Sequence, residues 1–114
     1  MLPKINRLKK RRDFERVFKK GRSAKEDFLI LKTSPNGLEI SRFGFVAGLK
    51  VSKKATVRNK IKRQLSEVIK NNLAQIKKGM DVVMIVLKNI EAKKFKEIKT
   101  NTEKLLMRSG LLKR

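Results

Sequence analysis

The sequence predicts one α/β domain in which three helices alternate with a small mixed sheet, in the order α-β-β-α-β-α. Three segments have apolar residues at helical spacing, and three short runs rich in apolar residues lie between turn residues, as strands do. A chain of 114 residues, 39% of them hydrophobic, suits a single domain with a modest core. We therefore expect one domain over residues 1–114, with residues 1–8 as a flexible start.

The first helix is predicted from the stretch DFERVFKKG. Phe14, Val17 and Phe18 are spaced i, i+3 and i+4, so they share one helical face. Asp13 suits the start of the helix, as a cap or as a charge that complements the first turn. Gly21 suits a stop in the left-handed conformation.

Two strands follow, with a turn between them. Residues 27–33 (DFLILKT) and 38–50 (LEISRFGFVAGLK) are rich in apolar and β-branched residues, which favours strands. The pair Asn36-Gly37 between them favours a hairpin. A further short strand near residues 22–26 is left open.

A long helix, a buried strand and a last helix complete the chain. Residues 56–76 have apolar side chains at a 3.6-residue period, and Thr56 is the expected N-cap. The run at 81–87 (DVVMIVL) predicts a buried central strand. The last helix is predicted from one face formed by Phe95, Ile98, Thr102, Leu105 and Leu106.

Charge is the most unusual property of the composition. Lys and Arg total 32 and Asp and Glu total 10, which gives a formal net charge of +22 and a pI near 11.0. Repulsion among so many positive side chains is tolerated best when a polyanion neutralises their charge, which favours nucleic acid as the partner. A membrane surface is the competing partner, but the apolar runs are too short to span a bilayer. Because the start has no apolar signal segment, we expect a cytoplasmic location.

The residue types that carry most protein catalysis are missing. The chain has no Cys, so it can form no disulfide and no thiolate zinc site. It also has no His, so no imidazole can act as a general base. The ten acidic residues are scattered, and no local spacing indicates a two-metal nuclease. We therefore expect no catalytic residue and no metal or other cofactor bound by this chain alone.

Residues 53–63, KKATVRNKIKR, concentrate positive charge at the predicted start of the long helix. Six of these residues are Lys or Arg, and none is acidic. A helix N-terminus already carries partial positive charge, so the cations cost stability unless an anion lies there. A purely solvated face is the alternative, but such faces usually mix both signs of charge. A phosphate backbone is the anion that fits best.

A family resemblance is carried by several motifs in the right order. Residues 58–63 (RNKIKR) resemble the RNR motif of the bacterial ribonuclease P protein subunit. Nearly the whole chain is similar to that family, because the flanking motifs also match: NRLKKRRDF at 6–14, FxxxFxxG at 14–21, RFGF at 42–45 and GxDVV at 79–83.

The resemblance implies a fold and a function. The fold would be a small two-layer α/β sandwich with a left-handed crossover around the long helix, whereas the general rule for such connections is right-handed. The chain would be the accessory protein of a ribonucleoprotein endonuclease whose RNA subunit carries the catalytic groups and binds Mg²⁺. It would assist removal of the 5′ leader of precursor tRNA, with no membrane or DNA partner.

Two binding sites are also implied by the resemblance. The catalytic RNA would be held by Lys53, Lys54, Arg58, Asn59, Lys60, Lys62 and Arg63. The leader would lie against the first helix and the sheet, at Arg11, Phe14, Phe18 and Leu31, although Leu31 stands where an aromatic residue is often found. Core packing is the alternative for both Phe side chains, and it is favoured for Phe18.

Two other functions compete with this interpretation. A ribosomal or general RNA-binding protein would share the charge but not the ordered motifs. A self-sufficient nuclease would need carboxylates that converge, which the scattered acids do not indicate.

Overall fold

The structure is a computed structural model that describes residues 2–88 and 90–112. Within them it contains three α-helices, four strands and short 3-10 helices at Lys4–Asn6, Leu73–Gln75 and Ile90–Ala92. The main elements are α1 Arg11–Lys20, β1 Arg22–Glu26, β2 Leu29–Pro35, β3 Arg42–Val46, α2 Ala55–Asn72, β4 Met80–Val86 and α3 Phe95–Arg108. The predicted α/β class is confirmed, and the additional short strand considered near residues 22–26 is present as β1.

The four strands form one mixed sheet in the order β1-β2-β4-β3. The pairs β1/β2 and β2/β4 are antiparallel, whereas β3 is parallel to β4 and connects to it through α2. The predicted central position of β4 is therefore confirmed. The predicted hairpin at Asn36-Gly37 is wrong, because β4 lies between the two strands that it was to join. The tight turn lies instead between β1 and β2, at Asp27, where φ is 52°.

The hydrogen bonds of Asn36 explain why the chain leaves the sheet at this point. Its side-chain nitrogen donates to the Ile40 carbonyl at 3.0 Å and to Asp81 Oδ1 at 2.9 Å. Its side-chain oxygen accepts from the Leu38 N–H at 2.7 Å. These bonds fix a loop beside the start of β4 in place of a two-residue turn.

Two predicted boundaries differ from the structure. Helix α2 begins at Ala55 with Lys54 as its N-cap residue, so Thr56 lies in the first turn and is not the cap. Strand β3 has five residues, far fewer than the predicted span 38–50. The predicted span of β3 was too long because the apolar residues Leu38 and Leu49 lie in the flanking loops, where they are 46% and 70% exposed.

Gly21 ends α1 for a different reason from the one predicted. Its backbone is extended, with φ −75° and ψ 151°, so the predicted left-handed stop is wrong. A Cβ at this position would lie 2.3 Å from the carbonyl oxygen of Val17 and 2.9 Å from that of Thr33. Glycine is required because α1 and β2 approach each other closely there.

The sheet separates two clusters of buried side chains. The larger cluster lies between the sheet and helices α2 and α3, and it includes Met84 and Leu105. The smaller cluster joins Leu8, Val17 and Val83 under α1 on the opposite face. The predicted sandwich of sheet and helices is thus formed with α2 and α3, and α1 adds a partial layer on the other side.

The N-terminal segment, residues 2–9, packs against the rest of the domain. Leu2 and Leu8 are 2% and 5% exposed. The Leu2 N–H donates to Ser66 Oγ at 3.4 Å, and the Leu8 N–H donates to the Phe43 carbonyl at 2.9 Å. The prediction of a flexible start is therefore wrong for residues 2–8.

Candidate nucleic-acid interface

The RNR segment, residues 53–63, lies at the start of α2, as predicted. The charges of its basic side chains remain available to a ligand, because none of the ion pairs found among the described residues involves this segment. Of its seven predicted RNA contacts, two are half-buried, Arg58 and Lys62, and five are exposed: Lys53, Lys54, Asn59, Lys60 and Arg63.

The N-terminus of α2 is suited to an anion. No side chain caps it, and no acidic residue lies in its first turn. The first N–H groups of a helix lack partners within the helix and point along the positive end of its dipole. A phosphate at this end would therefore meet both backbone donors and the cations of the RNR segment.

Arg58 has a structural contact in addition to its charge. Its Nη1 donates to the carbonyl oxygen of Ser52 at 2.8 Å, and Ser52 Oγ accepts from the Lys54 N–H at 3.2 Å. The guanidinium group thus closes the loop that enters α2. Arg58 can present its remaining N–H groups to RNA from a fixed position.

A cavity borders the RNR segment on the side of the N-terminal segment and β3. Its volume is about 490 Å³. The side of α2 that carries Asn59, Lys62, Arg63 and Ser66 forms one wall of this cavity. Ser66 is buried beneath Leu2. Sequence reasoning missed the cavity, because its other walls come from residues far away in the chain.

A buried ion network lies beside α1 and the start of β4. Arg42 donates from Nε to Asp81 Oδ1 at 2.8 Å and from Nη2 to Oδ2 at 2.7 Å, and Arg16 donates to the same carboxylate. Asp13 pairs with Arg16 at 3.4 Å and with Arg42 at 3.5 Å. Asp13 is in the first turn of α1, as predicted, but Lys10 is the N-cap residue. The network fixes α1 to the sheet.

Asp81 remains ionised within this network. Burial alone would raise the pKa of its carboxyl group, but hydrogen bonds from Arg42 and Asn36 outweigh burial, together with the charges of Arg42 and Arg16. The pKa of Asp81 is therefore lowered from its ordinary value. The hydrogen bond to Asp81 raises the pKa of Arg42. Both charges of the pair are thus present at neutral pH.

Helix α1 leaves part of its side of the sheet uncovered. Pairing between strands places Lys25, Ile30, Ile85 and Val46 in one row across the sheet, and the last three are only half-buried. We call this row, together with Lys32 and the Phe14 and Phe18 side chains of α1, the open sheet face.

The two Phe side chains of α1 have different environments. Phe14 is half-buried and packs on the small cluster, with Gly44 directly beneath its ring. Phe18 is 41% exposed, and Lys32 Nζ lies 5.6 Å from its ring centroid. The preference for Phe18 in the core is therefore wrong, because its ring borders the open sheet face.

The other two predicted leader contacts occupy opposite environments. Arg11 is 93% exposed at the start of α1 and pairs with Glu15 at 3.1 Å. Leu31 is 1% exposed and belongs to the core cluster under α2 and α3. Leu31 thus points away from α1, and its prediction as a leader contact is wrong. The neighbouring residues Ile30 and Lys32 lie on the open sheet face instead.

A second cavity, of about 700 Å³, continues the open sheet face. Its floor includes Val46 and Ile85, and Lys25, Lys50 and Lys88 lie around it. An apolar floor with basic residues at its edge can hold bases and phosphates of a single strand. Sequence reasoning missed these residues because their proximity depends on strand pairing.

The described residues, 2–88 and 90–112, contain neither a cluster of metal-binding side chains nor a membrane-spanning helix. They contain no group of three or more Asp or Glu side chains placed to hold a metal ion. Among them, no helix is long and apolar enough to cross a membrane. The cytoplasmic location and the absence of a DNA partner stay predictions.

Comparison with known proteins gives consistent results. Residues 2–110 match the family model of ribonuclease P. The ribonuclease P protein component of Synechocystis is 38% identical over 112 residues, covering 97% of this chain and 90% of the relative. That of Thermotoga maritima is 41% identical over 110 residues, covering 95% and 90%. The ribonuclease P protein of Staphylococcus aureus is 28% identical, covers 95% of this chain and 98% of its own, and superposes with a TM-score of 0.88.

Fold, charge and surfaces together define a small basic RNA-binding protein of the α+β class. The chain belongs to the ribonuclease P protein family. It is a protein subunit of ribonuclease P, and the RNA subunit of that endoribonuclease is its partner. The alternative of a ribosomal or general RNA-binding protein is thereby set aside.

Proposed function

We propose that this subunit holds the RNA subunit on the RNR segment and the 5′ leader of precursor tRNA on the open sheet face. The observation that carries the proposal is the position of these surfaces. Helix α2 packs on one face of the sheet, and α1 with the open sheet face lies on the other. The protein can therefore contact two nucleic-acid segments at the same time.

The open sheet face suits an unpaired strand. Phe18 offers an exposed ring for a base, and Lys25 and Lys32 lie near enough to the apolar floor to meet phosphates. Stacking on an aromatic ring tolerates any base, so such a face would accept leaders of different sequence. Mature tRNA lacks the leader and would not use this face.

We assign catalysis, and the Mg²⁺ that serves it, to the RNA subunit. The described residues do not fit a Mg²⁺ site, because they bring no three carboxylates together and because Asp13 and Asp81 are both paired with arginine. The protein would contribute binding and positioning of the precursor, and neutralisation of phosphate charge.

Reconstitution tests this division of roles. Precursor tRNA labelled at its 5′ end is incubated with the protein, with the cognate RNA subunit, and with both, over a range of Mg²⁺ concentrations. We expect no cleavage by the protein alone and efficient leader removal by the complex. Site-specific cleavage by the protein without RNA would contradict the proposal, provided that the activity comigrates with the protein through a second purification step.

A further inference from the structure

The cavity beside the RNR segment has walls that phosphate binding alone does not need. Its volume of about 490 Å³ falls within the roughly 300–1,000 Å³ of small-ligand pockets. Leu8, Phe43 and Phe45 make one side apolar, and α2 forms the polar side. Lysine and arginine bind phosphate at an open surface, so an apolar recess between them indicates a ligand with an apolar part.

Asn59 supplies a polar group suited to recognition. Its side chain is exposed at the cavity, and no hydrogen bond with another described residue engages its amide. An amide offers one donor and one acceptor side by side, which matches the edge of a nucleobase.

The charges around the cavity select an anion. Its lining includes Arg7, Lys9, Lys62 and Arg63, and no acidic residue. Arg7 Nε donates to the Leu2 carbonyl at 2.8 Å, so this guanidinium is held in place before a ligand arrives. A nucleotide combines the required features, because it has a flat apolar base, a polar edge and a phosphate.

We propose that the cavity receives one unpaired nucleobase of the RNA subunit, with Asn59 bonded to the base edge and the adjacent phosphates on Lys62 and Arg63. This inference rests on the proposed function, because it adds a base contact to the surface that holds the RNA. An acidic peptide would match the charge, but it has no planar base whose edge could pair with the Asn59 amide. Bases within a duplex are stacked and cannot enter, so the nucleotide must come from a loop, bulge or end.

A matched pair of RNA pentamers tests the inference with the full-length protein. One pentamer has 2-aminopurine at its centre, and the other has an abasic ribose there, so their phosphates are the same. The chain contains no Trp or Tyr, so the 2-aminopurine emission is measured without protein background. The abasic pentamer is used as a competitor. We expect it to bind about fivefold more weakly or worse, as for the loss of one base contact.

Two variants locate the base. Asn59→Ala should abolish the preference for the base while leaving the salt dependence of binding unchanged, because no charge is lost. Asn71→Ala, a matched change on the same helix outside the cavity, should keep the preference. Alanine favours the helix in both cases, so neither change endangers the fold.

Two results would overturn the inference. One is equal affinity for the two pentamers. The other is a preference that survives Asn59→Ala and disappears in Phe18→Ala, which would place the base on the open sheet face. Failure of the proposed function can be distinguished from failure of this inference. If the proposed function were wrong, the reconstituted enzyme would bind precursor and mature tRNA equally well, while the isolated protein would still prefer the pentamer that has the base.

Discussion

Replacing Phe18 by alanine tests whether the open sheet face binds the leader. The ring is 41% exposed and has Lys32 Nζ 5.6 Å from its centroid, so it is available to a base. Loss of one base–aromatic stack costs about 1–3 kcal/mol, which is about a 5- to 150-fold increase in Kd. We expect this increase for precursor tRNA with a leader of several nucleotides, bound to the reconstituted enzyme, and no change for mature tRNA.

The same substitution should have a small effect on folding. Truncating a fully buried Phe costs about 3–5 kcal/mol, and a partly exposed ring should cost about 1 kcal/mol, including its contact with Lys32. Phe95→Ala is the matched control, because Phe95 is 39% exposed and begins α3 on the opposite side of the sheet. Urea unfolding followed by circular dichroism should give similar losses for both variants.

Binding then separates the two variants. Phe95→Ala should bind precursor and mature tRNA as the wild type does. Equal weakening for precursor and mature tRNA in Phe18→Ala would refute the reasoning, and so would the same loss of precursor affinity in Phe95→Ala. Either result would move the leader away from the open sheet face.

Three further substitutions test the packing and the RNR segment. Asp81→Asn leaves the guanidinium groups of Arg16 and Arg42 without their shared charge, so it should lower the free energy of unfolding by about 3–5 kcal/mol near pH 7. Because the pKa of Asp81 is lowered in the folded state, the stability that its carboxylate contributes is present above the ordinary pKa of 3.8 and is lost as the pH falls below that value. The difference in unfolding free energy between wild type and Asp81→Asn should therefore shrink at low pH. Urea titrations across this pH range measure the difference, and a constant value would contradict the prediction. Gly44→Ala places a Cβ 2.4 Å from Phe14 Cζ, so we expect a loss of about 1–3 kcal/mol in the same assay, and wild-type stability would show that the ring moves freely. Arg63→Ala should lower the salt slope of RNA binding by about 0.7–0.9 without affecting stability, and an unchanged slope would remove Arg63 from the interface.

Local patterns predicted most of the elements. The 3.6-residue period located α2 to within a few residues, and the apolar run at 81–87 located the central strand almost to the residue. The RNR segment was also predictable, because its charges are consecutive in the chain. These features depend on short-range chemistry, which a sequence displays directly.

Pairing between distant residues could not be predicted in the same way. The Asn36-Gly37 signal is typical of a hairpin, yet the side chain of Asn36 bonds to Asp81, on a strand that inserts between its neighbours. The ion network of Asp81 with Arg16 and Arg42 likewise joins α1, β3 and β4. No local spacing indicates such contacts.

The face of the sheet on which a strand residue lies also could not be predicted from local sequence. Leu31 and its neighbours Ile30 and Lys32 point to opposite sides of the sheet, and a shift of one residue exchanges them. Only the register with β4 decides that Leu31 enters the core while Ile30 and Lys32 face α1. The same register brings Val46 and Ile85 together, and so it also determines the floor on which the leader would lie.

The placement of the few acidic residues explains how a chain of net charge +22 can fold and still bind RNA. Asp13 and Asp81 neutralise arginines at the junction of α1 with the sheet, and Glu26 pairs with Lys104 and Arg108 where α3 meets β1. These acids lie where elements join, so they reduce repulsion inside the fold. In the described part of the chain, no acid pairs with the RNR segment. Its charges therefore stay free for phosphate, and their repulsion is relieved when RNA binds.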